Sequence, residues 1–269
     1  MDRAVPRGGS AETGRRSTGL TDSTRPSDRP LRHETAEDTE TAMAEPHDPT
    51  SPSLRHEGDV WVLDLGDGEN RFDLERTERL LELVSEVEAR PAPRALVTAA
   101  TGKVWCNGLD LDWMSAHPDD ARAVVDRVHR LLGDLLGADV PSVAAVQGHA
   151  FAGGAMLALA HGHVVMRADR GYWCLPEVDL GLPFTRGMDA LIKARVPQRT
   201  VHVAMTTGRR YGGIEAVEAG IVDEAVALDD VLPRAIEIAA GLAGKDPATL
   251  RAIKHRMYAE AIALLDHHR

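Results

Sequence analysis

Three short stretches of this sequence hold residues whose types and spacing could carry chemistry: VWCNGLDLDWM at residues 104–114, GHAFAGGAML at 148–157 and LPEVDLGLP at 175–183. Each lies at or after an apolar, strand-like run and turns at a glycine, which leaves backbone N–H groups bare where the next element begins. The second stretch puts Gly153 and Gly154 at the head of an apolar helix, although each glycine costs about 0.5–1 kcal/mol in a helix interior relative to alanine. Packing alone does not call for them. The third stretch offers Glu177, an acid that could move a proton. Asp110 and Asp112 in the first are read as a cap and its neighbour on the turn after Gly108, not as a metal pair. His149, His161 and His163 have no acidic partner at ligand spacing, and Cys106 and Cys174 belong to no C-x-x-C pair, so no metal is expected.

Elements on either side must bring these stretches together. VWVLDL (60–65) and RALVTAA (94–100) read as strands, and DLERTERLLELVSEVEAR (73–90) places Leu80, Leu83, Val84 and Val87 on one helical face. Residues 119–139 repeat that signature with Val124, Val125, Val128, Leu131, Leu132 and Leu135. PSVAAVQG (141–148) and HVVMRA (163–168) read as strands flanking the glycine-headed helix. Residues 187–266 are almost wholly helical apart from GIVDEAV (220–226), with Asp229 and Asp230 as caps for a helix over 231–243 and Asp246-Pro247 opening a last helix over 247–266. This alternation predicts one α/β domain over 54–269, in which 187–269 form a mainly helical C-terminal layer.

The 269 residues carry 31 basic and 42 acidic side chains, a net charge of -11, which argues against a nucleic-acid binder. The longest apolar stretch, around Ala150 to Ala160, is too short to span a bilayer, so no membrane partner is expected. Two cysteines and no secretory signal point to a reducing, cytoplasmic location. Residues 1–53 have almost no large apolar side chains and are read as a disordered tail, within which Met43 stands as an alternative translation start.

From about residue 59 onward the chain resembles the crotonase (enoyl-CoA hydratase/isomerase) superfamily, and within it the Δ3,Δ2-enoyl-CoA isomerases of the peroxisomal plant type. CNGLDL (106–111), PEVDLGLP (176–183), ENRF (69–72), RADRG (167–171) and EAVEAGIVDE (215–224) carry the resemblance. It implies a spiral of ββα units and an assembly of trimers or pairs of trimers, with the C-terminal helices covering a neighbour's site. It also implies an oxyanion hole made by the amides of Leu109 and Gly153, supported by Gly108 and Gly154, that would hold the thioester oxygen of an acyl-CoA substrate. Coenzyme A is then part of the substrate and no separate cofactor is called for.

In that resemblance the hydratases use two glutamates. Here Met156 stands in the place of the first and Glu177 in the place of the second. One acid suits moving a proton from C2 to C4 better than adding water, so the expected activity is enoyl-CoA isomerisation in fatty acid metabolism. Hydration, another thioester-enolate reaction or silent acyl-CoA binding are the alternatives. Glu177 is the expected base, in an apolar pocket of Met156, Leu175 and Trp105 or Trp173, its pKa raised by desolvation. Trp113, with Met114, Phe184 and Met188, is expected around the acyl chain. Arg71, Lys103, Lys254 and Arg256 are basic candidates for the coenzyme A phosphates, with no choice made among them.

Overall fold

The computed structural model describes residues 48–266, so the expected tail over 1–47 lies outside the described residues. The end of that tail is folded. Ser53 opens β1 (Ser53–Glu57), which turns at Gly58, φ +59°, into the antiparallel β2 (Val60–Asp64). Ahead of it, the carbonyls of Pro49 and Thr50 accept from the Asp67 N–H and the Arg76 guanidinium. The boundary expected at residue 54 is therefore too late, because backbone bonds tie down a segment whose composition reads as loop.

Next come α1 (Leu74–Glu88), capped by the Asp73 carboxylate on the Arg76 N–H, then β3 (Ala95–Ala99), β4 (Val104–Cys106), α2 (Leu111–Ala116) and α3 (Ala121–Gly137). The third strand pair and its helix are β5 (Ser142–Val146), β6 (His149–Phe151) and α4 (Gly153–Ala160). They are followed by β7 (His163–Arg167), β8 (Trp173–Cys174) and α5 (Glu177–Leu180). β3, β5 and β7 join a six-stranded sheet ordered β1-β2-β3-β5-β7-β9, closed by β9 (Glu224–Val226), while β4, β6 and β8 form a second, three-stranded sheet. After the first pair, in which β1 and β2 both join the larger sheet, each turn of the chain gives one strand to each sheet and then a helix. This is the expected ββα spiral.

The remaining elements form the expected helical layer: α6 (Arg186–Arg195), α7 (Gln198–Thr207), α8 (Gly213–Glu218), α9 (Leu228–Leu242), α10 (Pro247–Met257) and α11 (Ala259–Asp266). α9 begins at Leu228, so Asp229 and Asp230 lie in its first turn and act on the helix dipole instead of capping it. The single last helix expected over 247–266 breaks at Tyr258, φ −112°, into α10 and α11. α11 then packs on α3 and α6 of its own chain. Lys254 of α10 is buried and donates to the carbonyls of Leu135 and Ala138, 3.2 and 3.1 Å away, closing the C-terminal end of α3. Among the described residues no helix is long and apolar enough to cross a membrane.

Strand alternation divides the core. Val60 and Val62 of β2, with Val97, Val143 and Val165, face Val231, Ala235 and Ala239 of α9, while Leu63, Leu96 and Val146 face α1, α3 and α4. The periodic faces read from α1 and α3 are the buried ones, Leu80, Leu83, Val84 and Val87, and Val124, Val128, Leu131, Leu132 and Leu135, except that Val125 is only half-buried.

At Gly154 a Cβ would stand 2.1 Å from the carbonyl oxygen of Cys106, so α4 seats directly on the backbone of β4. Gly154→Ala is expected to lower the unfolding free energy by about 2 kcal/mol or more in urea melts. Gly241→Ala, on the open side of α9 where a Cβ meets nothing within 4 Å, is expected to raise it by about 0.5 kcal/mol.

Candidate active site

Parallel pairing of β4 with β6 and of β6 with β8 makes all three strands end at one edge of the small sheet. The three glycine-bearing stretches leave from that edge side by side, and the Ala152 N–H reaches the Cys174 carbonyl at 3.0 Å across two of the turns. Such a strand-end edge collects backbone dipoles and loops at one place.

Two of those backbone donors are idle. Phe72 pairs in parallel with Leu109: the Phe72 N–H donates to Gly108 O at 2.7 Å and the Asp110 N–H to Phe72 O at 3.0 Å. In a parallel ladder the bridged residue's own N–H turns to the other side. The Leu109 N–H accordingly has no acceptor among the described residues. Gly153 opens α4, and a helix's first amides have no partner within it; the first bond back to the cap is Met156 N–H to Ala152 O, 3.1 Å. The turns that carry the two donors touch: a Cβ on Gly108, φ +77°, would lie 2.6 Å from the Gly153 nitrogen.

The glycines serve packing in a way the sequence did not disclose. At Gly153 a Cβ would meet the Gly108 Cα and the Phe72 ring, each at 3.3 Å. Close backbone approach on the protein side, at Gly108 and Gly154, is what excludes larger residues. Just before them Ala152 holds φ +50°, ψ −123°, a conformation disfavoured for a residue with a Cβ, and thereby aims the start of α4.

Glu177 is the first residue of α5, placed by β8 and by Pro176 before it. The residue is 8% exposed and its Oε2 has no hydrogen-bond partner among the described residues. Desolvation pushes the carboxyl up to about 7, against a smaller pull from its own backbone N–H. It lines a cavity of about 610 Å³ together with Leu109, Gly153 and Met156, and the walls continue through Met114, Val125, Phe184 and Met188. Asp112 is the other carboxylate on the wall, but its side chain is 91% exposed and bound to Arg71 at 3.0 Å.

Several expected contacts fall elsewhere. Trp113 faces away from the cavity, stacks on His117 at 4.3 Å and lines a separate depression beside Asp73 and Arg127. Trp105, Trp173 and Leu175 are sealed in the core, with Trp173 Nε1 donating to the Ala155 carbonyl, and line no part of the cavity. Gly108 and Gly154 back the wall without lining it. Of the four basic candidates, Lys254 caps α3, Lys103 and Arg256 are absent from the wall, and Arg71 is present but engaged by Glu69, Asp110 and Asp112. Asp110 caps α2 on the Trp113 N–H at 3.0 Å, as expected. His161 is buried between Thr98 Oγ1 and Leu157 O, and burial pushes the Cys106 and Cys174 thiols up to about 12 and about 11, so all three are structural. Asn107, Phe151, Leu180, Leu182 and Thr185 line the cavity and were not singled out. Asn107 was readable, standing directly before Gly108 in the first motif.

A family profile described as enoyl-CoA hydratase/isomerase matches residues 56–267. The chain belongs to that family. Enoyl-CoA delta isomerase 2, peroxisomal, of Arabidopsis thaliana is 32% identical over 227 residues, 79% of this chain and 94% of the relative. A carnitinyl-CoA dehydratase of Proteus mirabilis is 29% identical over 188 residues, 69% of this chain and 71% of that one. Among solved structures, a probable enoyl-CoA hydratase of Mycobacterium tuberculosis superposes with TM-score 0.75 at 26% identity, covering 81% of this chain and 92% of that one. This protein is thus an enzyme of the enoyl-CoA hydratase/isomerase family with the crotonase fold.

Glu177 also sets a stability signature. Its carboxyl titrates near 7 in the fold against an ordinary 4.5, so the native state keeps a proton that the unfolded chain loses. Its contribution therefore weakens stability as pH rises from about 4.5, and the loss is complete above about 7. Relative to wild type, Glu177→Gln is expected to gain on the order of 3 kcal/mol between pH ~4 and pH ~8 in urea unfolding. A difference independent of pH would contradict the buried carboxyl.

Proposed function

We propose that this enzyme is an enoyl-CoA isomerase that moves a double bond from position 3 to position 2 of an acyl-CoA. The observation that carries the reading is a single buried carboxylate, Glu177, sharing one cavity with Met156 and the residues of two idle main-chain donors; by the family resemblance, Met156 stands where hydratases carry a second acid. The likeness to the Arabidopsis delta isomerase supports it.

The proton alpha to a thioester is only weakly acidic, so its removal needs both a base and a place for the negative charge. In the proposed reaction the Leu109 and Gly153 N–H groups donate to the thioester oxygen, and the positive end of α4 adds to their field. Ionised Glu177 takes the proton from C2, and the C–H electron pair passes through the thioester into the oxygen. The resulting carboxylic acid returns the proton at C4, leaving the double bond between C2 and C3. No atom is gained or lost, and the base ends as it began. A donor of this kind typically contributes about 2.7–4 kcal/mol to the transition state, and a positioned base about 10²–10⁴-fold.

Burial of Glu177 suits this cycle, because a carboxyl titrating near 7 accepts and releases a proton with similar ease. Hydration would also require an activated water, a task most easily divided between two acids, and the thioether of Met156 cannot share it. The apolar wall of Met114, Val125, Phe184 and Met188 fits a hydrocarbon chain. The dehydratase likeness keeps hydration as the second reading.

Steady-state assays with 3-enoyl-CoA and 2-enoyl-CoA decide between them. The expected result is isomerisation of the former, a kcat lowered about 10²–10⁴-fold by Glu177→Gln, and a wild-type kcat/KM that rises with pH and levels above about 7 as the base ionises. A 3-hydroxyacyl product would favour hydration. Full turnover by Glu177→Gln would remove Glu177 from the reaction, and no turnover of either substrate would leave silent binding.

A further inference from the structure

Beside Glu177, Asn107 is the polar side chain on the cavity wall that no hydrogen bond engages. Arg71 and Asp112 hold each other at 3.0 Å, and the Thr185 hydroxyl is shared between His129 Nε2 and the Met188 N–H. Asn107 differs: its Oδ1 is buried without a partner, and its amide nitrogen donates to no group of the described chain. Its backbone is fixed, since the Asn107 N–H donates to Glu69 O at 3.0 Å, and it stands two residues before the idle Leu109 amide.

Buried amide oxygens are paired in the great majority of folds, so the idle Oδ1 of half-buried Asn107 calls for a partner from outside the chain. The proposed substrate limits which partner that is. Its acyl chain has no donor or acceptor beyond the thioester, and the thioester oxygen already has the amides of Leu109 and Gly153. Polar groups next occur on the thiol side, where an amide nitrogen follows the sulfur after two methylenes. That amide presents one N–H and one C=O, the complement of a carboxamide, which presents both.

We propose that Asn107 is a substrate-binding residue whose carboxamide pairs with the amide of the coenzyme A arm nearest the sulfur. This rests on the reading of the cavity as an acyl-CoA site. It gives the site a way to recognise the thiol half of its substrate without a free cation on the wall, where Arg71 is already tied to acids.

The test has two arms, each measured on wild type, Asn107→Ala and Asn107→Ser so that a fold defect in one variant does not decide the outcome. In the first, calorimetry reads the binding of S-hexyl-coenzyme A, a thioether that cannot react; affinity is expected to fall about 3- to 10-fold in both variants. In the second, the same 3-enoyl group is presented on N-acetylcysteamine, which keeps the amide, and on ethanethiol, which lacks it. The ratio of kcat/KM between these two thioesters is expected to fall by the same factor in the variants. Unchanged thioether affinity, or an unchanged ratio between the two thioesters, would overturn the proposal. Because the calorimetric arm needs no turnover, a chain that binds the thioether through Asn107 yet isomerises nothing would sink the isomerase reading and leave this one standing.

Discussion

The contact between the turn at Gly108 and the first turn of α4 governs everything else in this molecule. Two segments more than forty residues apart approach so closely that a single added carbon on Gly108 would fall 2.6 Å from the Gly153 nitrogen. Backbone can come that near only where side chains are missing and where the chain accepts a left-handed turn, here φ +77° at Gly108. The parallel bridge of Phe72 to Leu109 fixes one amide, the N-terminus of α4 fixes the other, and the Phe72 ring packs against the contact from the protein side. The small sheet exists, in effect, to hold β4, β6 and β8 in the order that makes this contact possible.

Electrostatics follow from the same geometry. The idle amides carry partial positive charge beside a cavity whose wall is mostly apolar, and a donor in such surroundings acts more strongly than it would in water. Glu177 meets the opposite side of that rule. Burial without a partner raises its pKa toward 7, which costs stability when it ionises and makes it able to trade a proton at neutral pH. Other charges on the wall are neutralised locally: Asp112 by Arg71, and Arg71 by three acids. Glu177 therefore titrates under desolvation, without a cation beside it to pull it down.

Long periodic elements were legible in the sequence because their buried faces repeat: α1 with Leu80, Leu83, Val84 and Val87, and α3 with its valines and leucines, lie where the spacing put them. Short elements were not. β1 carries the residues SLRHE, of which Ser53 and Leu54 are half-buried and the other three exposed, so no buried face marks where the fold begins. α2 is six residues long, and which way Trp113 points depends on a rotation that so short a helix does not encode; it faces His117 and not the cavity. Trp105 and Trp173 sit on strands of three and two residues, where one step decides between core and cavity, and both went to the core. The meeting of Leu109, Gly153, Met156 and Glu177 was reached through motif resemblance, since no local pattern links turns that distant in the chain. What resemblance did not supply was the packing role of the glycines, which lies in the clash distances at Gly108 and Gly154.

The central claim is that the two main-chain amides polarise a thioester carbonyl. Difference infrared spectroscopy of an acyl-CoA labelled with carbon-13 at that carbonyl measures this directly, because hydrogen bonding weakens the C=O bond. On binding, the stretch is expected to move to lower frequency than in water, and to move less in Gly108→Ala, where the added carbon pushes the Gly153 turn away. A bound carbonyl band at its solution position would contradict the account.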